Sequence, residues 1–302
     1  ITAKWLVKYI SLDPSIFNLD CYFGDCFYLR MGFCKSSWRY YLGISTEKVS
    51  PSFEVLVFSL KLLEFKMKHT TLEELADQFD AFFIDQFGVL MDASEPYPFA
   101  ADTVKRLSEY GKPIVLISNS GKRAKKNCDR LERLGFELNL FTAVITSGEV
   151  AYWTLKNKFQ DDCSATPKIY LISRDADTSP INSLSCETAK NTDEADYLII
   201  AGSESDTKPL NYYTSLLEPL ATRGVPAFCT NPDLLMLTPN GTSFGAGLIA
   251  KEYEEMGGTV TWFGKPYPLI YKFALNKIPK IASKKVLCIG DSVEHDIRGS
   301  FN

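Results

Sequence analysis

The chain has 302 residues, 45% of them apolar, and a net charge of −4. That composition is ordinary for a soluble globular protein, and the length leaves room for two domains. Mild acidity gives no electrostatic ground for a nucleic-acid or membrane-surface partner, and no apolar run reaches the ~20 residues needed to span a bilayer.

Residues 1–70 differ in character from the rest of the chain. They hold 14 of the 39 aromatic residues and carry a net charge of +3, against −7 for the remainder. No clean helical or strand period appears before Phe53, and the stretch lacks the Ser- and Arg-rich, acid-poor character of a targeting peptide. It reads as an N-terminal extension of unknown role. The eight cysteines form no CxxC pair and only two histidines are present, His69 and His295. A zinc site and a disulfide framework are therefore not expected; reduced, buried thiols in an intracellular, cytoplasmic protein are.

From Thr71 the pattern is regular. Thr71 followed by Glu73 and Glu74 predicts a short capped helix. A buried strand is expected over Ala81–Asp85 and a helix over Ala100–Tyr110, stopped at Gly111. Ile114–Ser118 is the next strand, Arg123–Leu134 the next helix, closed by Gly135, and Ala143–Ser147 the third strand. Continuous apolar strands alternating with helices imply a parallel sheet covered on both faces. A second set of strands is expected at Lys168–Ser173, Tyr197–Gly202, Pro226–Thr230 and Leu234–Leu237. The first pattern then resumes with Val260–Gly264 and Val286–Gly290. The simplest organisation is an α/β unit inserted between two parts of a doubly wound, Rossmann-like parallel sheet: a core over 71–149 and 259–302, and an inserted α/β cap over 150–258.

Ligand sites in open parallel sheets lie beyond the carboxyl ends of the strands. Four such ends carry suitable groups. Asp85 closes the first strand and can attack phosphorus as a carboxylate nucleophile. Ser118-Asn119-Ser120 closes and extends the second, with hydroxyls and an amide able to hold phosphate oxygens. Lys265 can neutralise charge on nucleophile and phosphate. Asp291 and Asp296, added to Asp85, make an oxygen-rich site suited to Mg²⁺. Each piece alone has a plainer reading as a turn former, helix cap or solvated lysine. Their order, each directly after an apolar strand, makes chance a poor explanation.

The set DQFGVLMD, LISNS, GKP and IGDSVEHD resembles the four motifs of the haloacid dehalogenase superfamily over about Thr71–Asn302. The long span from Ser118 to Lys265 resembles class IIA, whose members are nitrophenylphosphatase-like and nucleotide-monophosphatase-like. Asn231-Pro232-Asp233 and Gly245-Ala246-Gly247 are similar to that class as well. The resemblance implies a Mg²⁺-dependent hydrolase acting on a small phosphorylated substrate, with homo-oligomerisation through the cap open. It implies Asp85 and Lys265 as catalytic groups, and Ser118, Asn119, Ser120, Asn231 and Asp233 on the substrate. Asp85, the Phe87 backbone carbonyl, Asp291 and Asp296 would hold the metal.

One position departs from the pattern. The family's phosphatases carry a second Asp two residues after the nucleophile, and here that residue is Phe87. Loss of a general acid/base costs about 10²–10⁴-fold in rate. Asp92 and Asp296 are the nearby carboxylates that could stand in. Three readings stay open: a phosphatase for substrates with good leaving groups, a metal-independent dehalogenase, and a weak or inactive binding relative. Of the remaining residues, Lys122–Lys126 and His295 read as solvated or structural, Ser147 as a helix cap and Cys288 as inert packing. Only Ile297–Asn302 come after Asp296, so an uncovered sheet edge is expected there.

Overall fold

The computed structural model describes residues 71–300 apart from 93, 162–165, 239 and 240. The extension at 1–70 lies outside the described residues. Thr71 caps α1 (Leu72–Ala76) with a reciprocal box: its hydroxyl accepts from Glu74 N–H while the Glu74 carboxylate accepts from Thr71 N–H.

The strands form two parallel sheets and a hairpin. The first sheet contains β1 (Ala81–Asp85), β2 (Ile114–Ser118), β3 (Ala143–Thr146) and β11 (Val286–Ile289), in the order β11-β1-β2-β3. Its register sets Phe83 beside Cys288 and Val115, and Asp85 beside Ile117. Placing β1 between its neighbours buries it on both faces, which is why AFFI can be apolar without alternation. The intervening helices are α2 (Ala100–Ser108) and α3 (Ala124–Arg133).

The second sheet contains β4 (Lys168–Ile172), β5 (Glu187–Thr188), β6 (Tyr197–Ile200), β7 (Ala227–Cys229) and β10 (Val260–Trp262), in the order β10-β7-β6-β4-β5. Helices α5 (Leu210–Thr222) and α6 (Ala246–Glu255) pack against it through Leu217, Leu220, Ile249 and Tyr253. A hairpin of β8 (Leu235–Thr238) and β9 (Gly241–Phe244) stands apart as its own antiparallel pair.

One expectation is corrected. Val260–Gly264, expected to rejoin the first sheet, instead supplies an edge strand of the second, paired in parallel with β7. An apolar edge strand has the same local signature in either sheet, so only pairing decides. The strand expected at Leu234–Leu237 is present as β8 and, among the described residues, pairs only with β9.

The long helix α4 (Ser147–Asp161) joins the two sheets. Val150, Ala151, Leu155 and Phe159 lie in one buried cluster with Val115, Ile117 and Ile145 of the first sheet and Ile169, Ile199 and Phe228 of the second. Helix α7 (Pro268–Leu275) adds Ile270 and Ala274 to the same cluster. A shared apolar helix ties both sheets into one buried core. Ser147, expected to cap α4, is its first helical residue. The Thr146 hydroxyl does the capping, accepting from Glu149 N–H at 3.0 Å and donating to the Lys122 carbonyl at 2.7 Å. No helix among the described residues is long and apolar enough to cross a membrane.

Candidate active site

The carboxyl tips of β1 and β11 carry Asp85 and Asp291, and Asp296 lies just beyond in a π-helical turn over Val293–Ile297. Lys265 arrives from the other sheet, three residues beyond β10. It is 3% exposed. Its ammonium stands 2.6 Å from an Asp85 oxygen and 2.6 Å from an Asp296 oxygen. The second Asp296 oxygen accepts from Ser292 N–H at 3.1 Å, so both ends of that carboxylate are held.

Burial drives the Asp85 pKa up from the ordinary carboxylate range to about 7. The Lys265 charge pulls it down, and the Asp296 charge pushes it up again. Burial alone would depress Lys265, but the Asp85 and Asp296 carboxylates outweigh it and hold the ammonium firmly protonated. Burial, then the Asp296 charge, also raises Asp291.

Asp85, Asp291 and Asp296 can each present an oxygen within 4.8 Å of the others. Three carboxylates share one lysine as counter-charge, so the site carries surplus negative charge and offers only hard oxygen donors. That donor set fits Mg²⁺. The loop after Asp85 fits it too. Gly88 has φ +83°, and a Cβ there would sit 2.2 Å from Asp291 Oδ2, so only glycine lets the backbone approach this closely.

The expected substrate residues divide. Ser118 is buried, and its oxygen accepts from Ser120 N–H at 3.3 Å, which leaves its own hydrogen available to donate. Asn119 is committed within the protein: its amide donates to Asp233 Oδ1 at 2.8 Å and to the Lys265 carbonyl at 3.1 Å, and accepts from Lys265 N–H at 2.7 Å. The Ser120 hydroxyl accepts from Lys122 N–H and the Asn127 amide, as a turn residue does. Asn231 accepts from Asp233 N–H, and Asp233 lies 3.7 Å from His295 Nδ1.

The Phe87 ring faces the Arg130 guanidinium at 5.5 Å. Asp92 is taken up by a turn: its Oδ1 accepts from Ser94 N–H and Glu95 N–H, and these bonds hold its carboxyl below the usual range. It is an anion with no proton to offer. In the basic stretch after β2, Arg123 pairs with Glu149, Lys125 with Asp129 and Lys126 with Asp177. Burial pushes the Cys288 thiol up to about 12, as expected for inert packing.

Sequence reasoning misses Tyr271. It lines a small recess behind Asp85 and Lys265, together with Phe83, Ile117 and Cys288, and its hydroxyl donates to the His295 carbonyl at 3.2 Å. No motif marks it. Its only sequence signal is a place on α7 beside the buried Ile270 and Ala274.

Family comparison bears on the same residues. The family model of haloacid dehalogenase-like hydrolases matches residues 82–184, and a model described as HAD-hydrolase-like matches 262–302. Sugar-phosphatase AraL of Bacillus subtilis (strain 168) is 26% identical over 219 residues, 71% of this chain and 76% of that protein. Among solved structures, a haloacid dehalogenase-like hydrolase from Brucella suis 1330 superposes with a TM-score of 0.69 at 26% identity, over 76% of this chain and 84% of that one. A p-nitrophenyl phosphatase from Archaeoglobus fulgidus gives 0.58 at 26% identity, over 74% and 83%. The matched segments contain Asp85, Ser118, Lys265, Asp291 and Asp296, so the lysine and all three carboxylates of the candidate site lie in regions similar to the haloacid dehalogenase-like hydrolases.

Proposed function

We propose that the protein is a Mg²⁺-dependent phosphatase for a small phosphorylated metabolite, working through an aspartyl-phosphate on Asp85. The observation that carries this reading is Lys265 bridging Asp85 and Asp296 at 2.6 Å each, beside Asp291. The phosphatase names of the B. subtilis and A. fulgidus relatives support it.

In this reading the first sheet is the catalytic core, and the second, with its hairpin, is a cap over the substrate. Asp85 attacks phosphorus, the phosphorus–oxygen bond to the leaving group breaks, and the bonding pair departs with that oxygen. Lys265 pulls Asp85 toward its ionised form, orients it and offsets charge on the phosphoryl group. Ser118 donates its hydroxyl hydrogen to a phosphate oxygen. Asp85, Asp291, Asp296 and the Phe87 carbonyl would hold Mg²⁺, which supplies electrostatic neutralisation of the phosphoryl oxygens. Water then attacks the acyl phosphate, returning the Asp85 carboxylate and inorganic phosphate.

Phe87 cannot protonate a leaving alkoxide, and Asp92 is tied into its turn. Acyl and aryl phosphates, whose leaving groups need little protonation, are therefore the preferred substrates. The same Phe87 ring against Arg130 favours a second reading, a ligand-binding relative that kept the fold. An intracellular setting and homo-oligomerisation through the cap complete the proposal. Size-exclusion chromatography reads the oligomeric state.

The experiment is a panel of aryl and acyl phosphates with and without Mg²⁺, run on the full chain and on Asp85→Asn. Mg²⁺-dependent turnover that vanishes in Asp85→Asn is the expected result. Halide release from a haloacid without metal would point to dehalogenation. A folded, Mg²⁺-binding protein silent on the whole panel would leave the binding reading.

A further inference from the structure

The geometry points to Asn119 as a positioning residue for Lys265, not a substrate contact, with Asp233 fixing the Asn119 rotamer; this rests on the phosphatase reading of the site. Asn119 stands one residue past β2 of the first sheet. Lys265 lies three residues past β10 of the second, 146 positions away in sequence. Between them the Asn119 amide acts as a surrogate strand neighbour. Its Oδ1 accepts from Lys265 N–H at 2.7 Å and its Nδ2 donates to the Lys265 carbonyl at 3.1 Å, so donor and acceptor of one backbone residue are gripped together.

The remaining amide hydrogen goes to Asp233 Oδ1 at 2.8 Å. Both hydrogens of the Asn119 amide are thus spent inside the protein, and the residue is 7% exposed. Such a group has little left with which to recognise a phosphate.

Gly264 shows how tightly this junction is built. Its φ is +93°, and a Cβ there would lie 2.8 Å from Asn119 Oδ1 and 2.9 Å from Pro232. The Gly264 backbone, just before Lys265, thus runs close against both Asn119 and Pro232, and Asn119 bonds the Lys265 backbone itself. Fixing that backbone aims the side chain, whose ammonium must meet Asp85 and Asp296 at once. A displacement of about 1 Å at a reacting group costs on the order of 10²-fold in rate. Asn119 is therefore expected to act on kcat through Lys265, without touching substrate.

The test uses the full chain with 4-nitrophenyl phosphate and Mg²⁺, and an amine-specific reagent with mass spectrometry at Lys265 in the absence of substrate. Asn119→Ala is expected to lower kcat about 100-fold with KM within about threefold, and to convert Lys265 from protected to labelled. Asp233→Ala keeps both bonds to Lys265 and removes the third, together with the 3.7 Å approach of Asp233 to His295. It should lower kcat less and leave Lys265 protected, and the double variant should be no worse than Asn119→Ala, because the two act in one chain. A raised KM at unchanged kcat would make Asn119 a substrate contact and overturn the proposal, as would additive losses in the double variant. If Asn119→Ala does not fold, Asp233→Ala decides alone: a fall in kcat at unchanged KM supports the proposal, and a rise in KM alone overturns it. The labelling readout is independent of turnover. Protected Lys265 in the wild type that becomes labelled in Asn119→Ala would uphold the positioning role even if no phosphate ester were hydrolysed.

Discussion

Lys265→Met keeps the stem of the side chain and removes its ammonium, which in the native protein meets Asp85 and Asp296 at 2.6 Å with 4% of the side chain exposed. Two buried carboxylates lose the same counter-charge. Removing one partner of a buried pair costs about 3–5 kcal/mol. The pH dependence gives the sign. Asp85 titrates at about 7 in the folded protein against 3.8 for the free group. A carboxyl whose pKa is raised by folding contributes stability that is full below the unfolded value and lost as pH rises through the folded one. Without Lys265 the folded value climbs further, so the variant goes on losing stability at pH where the native protein has stopped. At about 1.4 kcal/mol per unit, the penalty should grow by about 2–3 kcal/mol between pH 5 and pH 9. With about 2–4 °C of Tm per kcal/mol in a chain of this size, the variant should melt roughly 10 °C lower at pH 9 and less than about 5 °C lower at pH 5. Circular dichroism melts in EDTA measure this directly. Equal penalties at both pH values, or a larger one at pH 5, would refute the electrostatic account of the site.

Phe87→Asp restores a proton-transfer group and should raise turnover of poor-leaving-group esters by about 10²–10⁴-fold, measured as kcat/KM across phenols of increasing pKa; an unchanged profile would mean that the rest of the site is not built for hydrolysis. Thr146→Ala removes the cap of α4 and should cost about 1 kcal/mol in urea denaturation. Ser147→Ala, whose buried hydroxyl has no hydrogen-bond partner among the described residues, should stay within about 0.5 kcal/mol.

How legible the site is in the sequence depends on the reach of each interaction. Asp85, Ser118, Asp291 and Asp296 are readable because each closes an apolar strand or sits in its exit loop, and parallel strands bring such exits to one edge. The capping box at Thr71 and the turn at Asp92 are equally local. Gly88 is visible as a glycine, but the Asp291 carboxylate that demands it lies two hundred residues on and is brought close only by β1–β11 pairing.

The sequence by itself determined the alternation of apolar strands and helices, the carboxylates at the strand tips and the absence of an acid at Phe87, since periodicity and residue chemistry are properties of a few neighbours along the chain. Tertiary structure alone decided that β10 joins the second sheet, that Lys265 reaches back from there to the carboxylates of the first, and that the Asn119 amide meets the Lys265 backbone. An edge strand can pair with any open edge, and an amide can bond to any group brought within reach. Which edge and which group are fixed only when the shared core around α4 closes on both sheets.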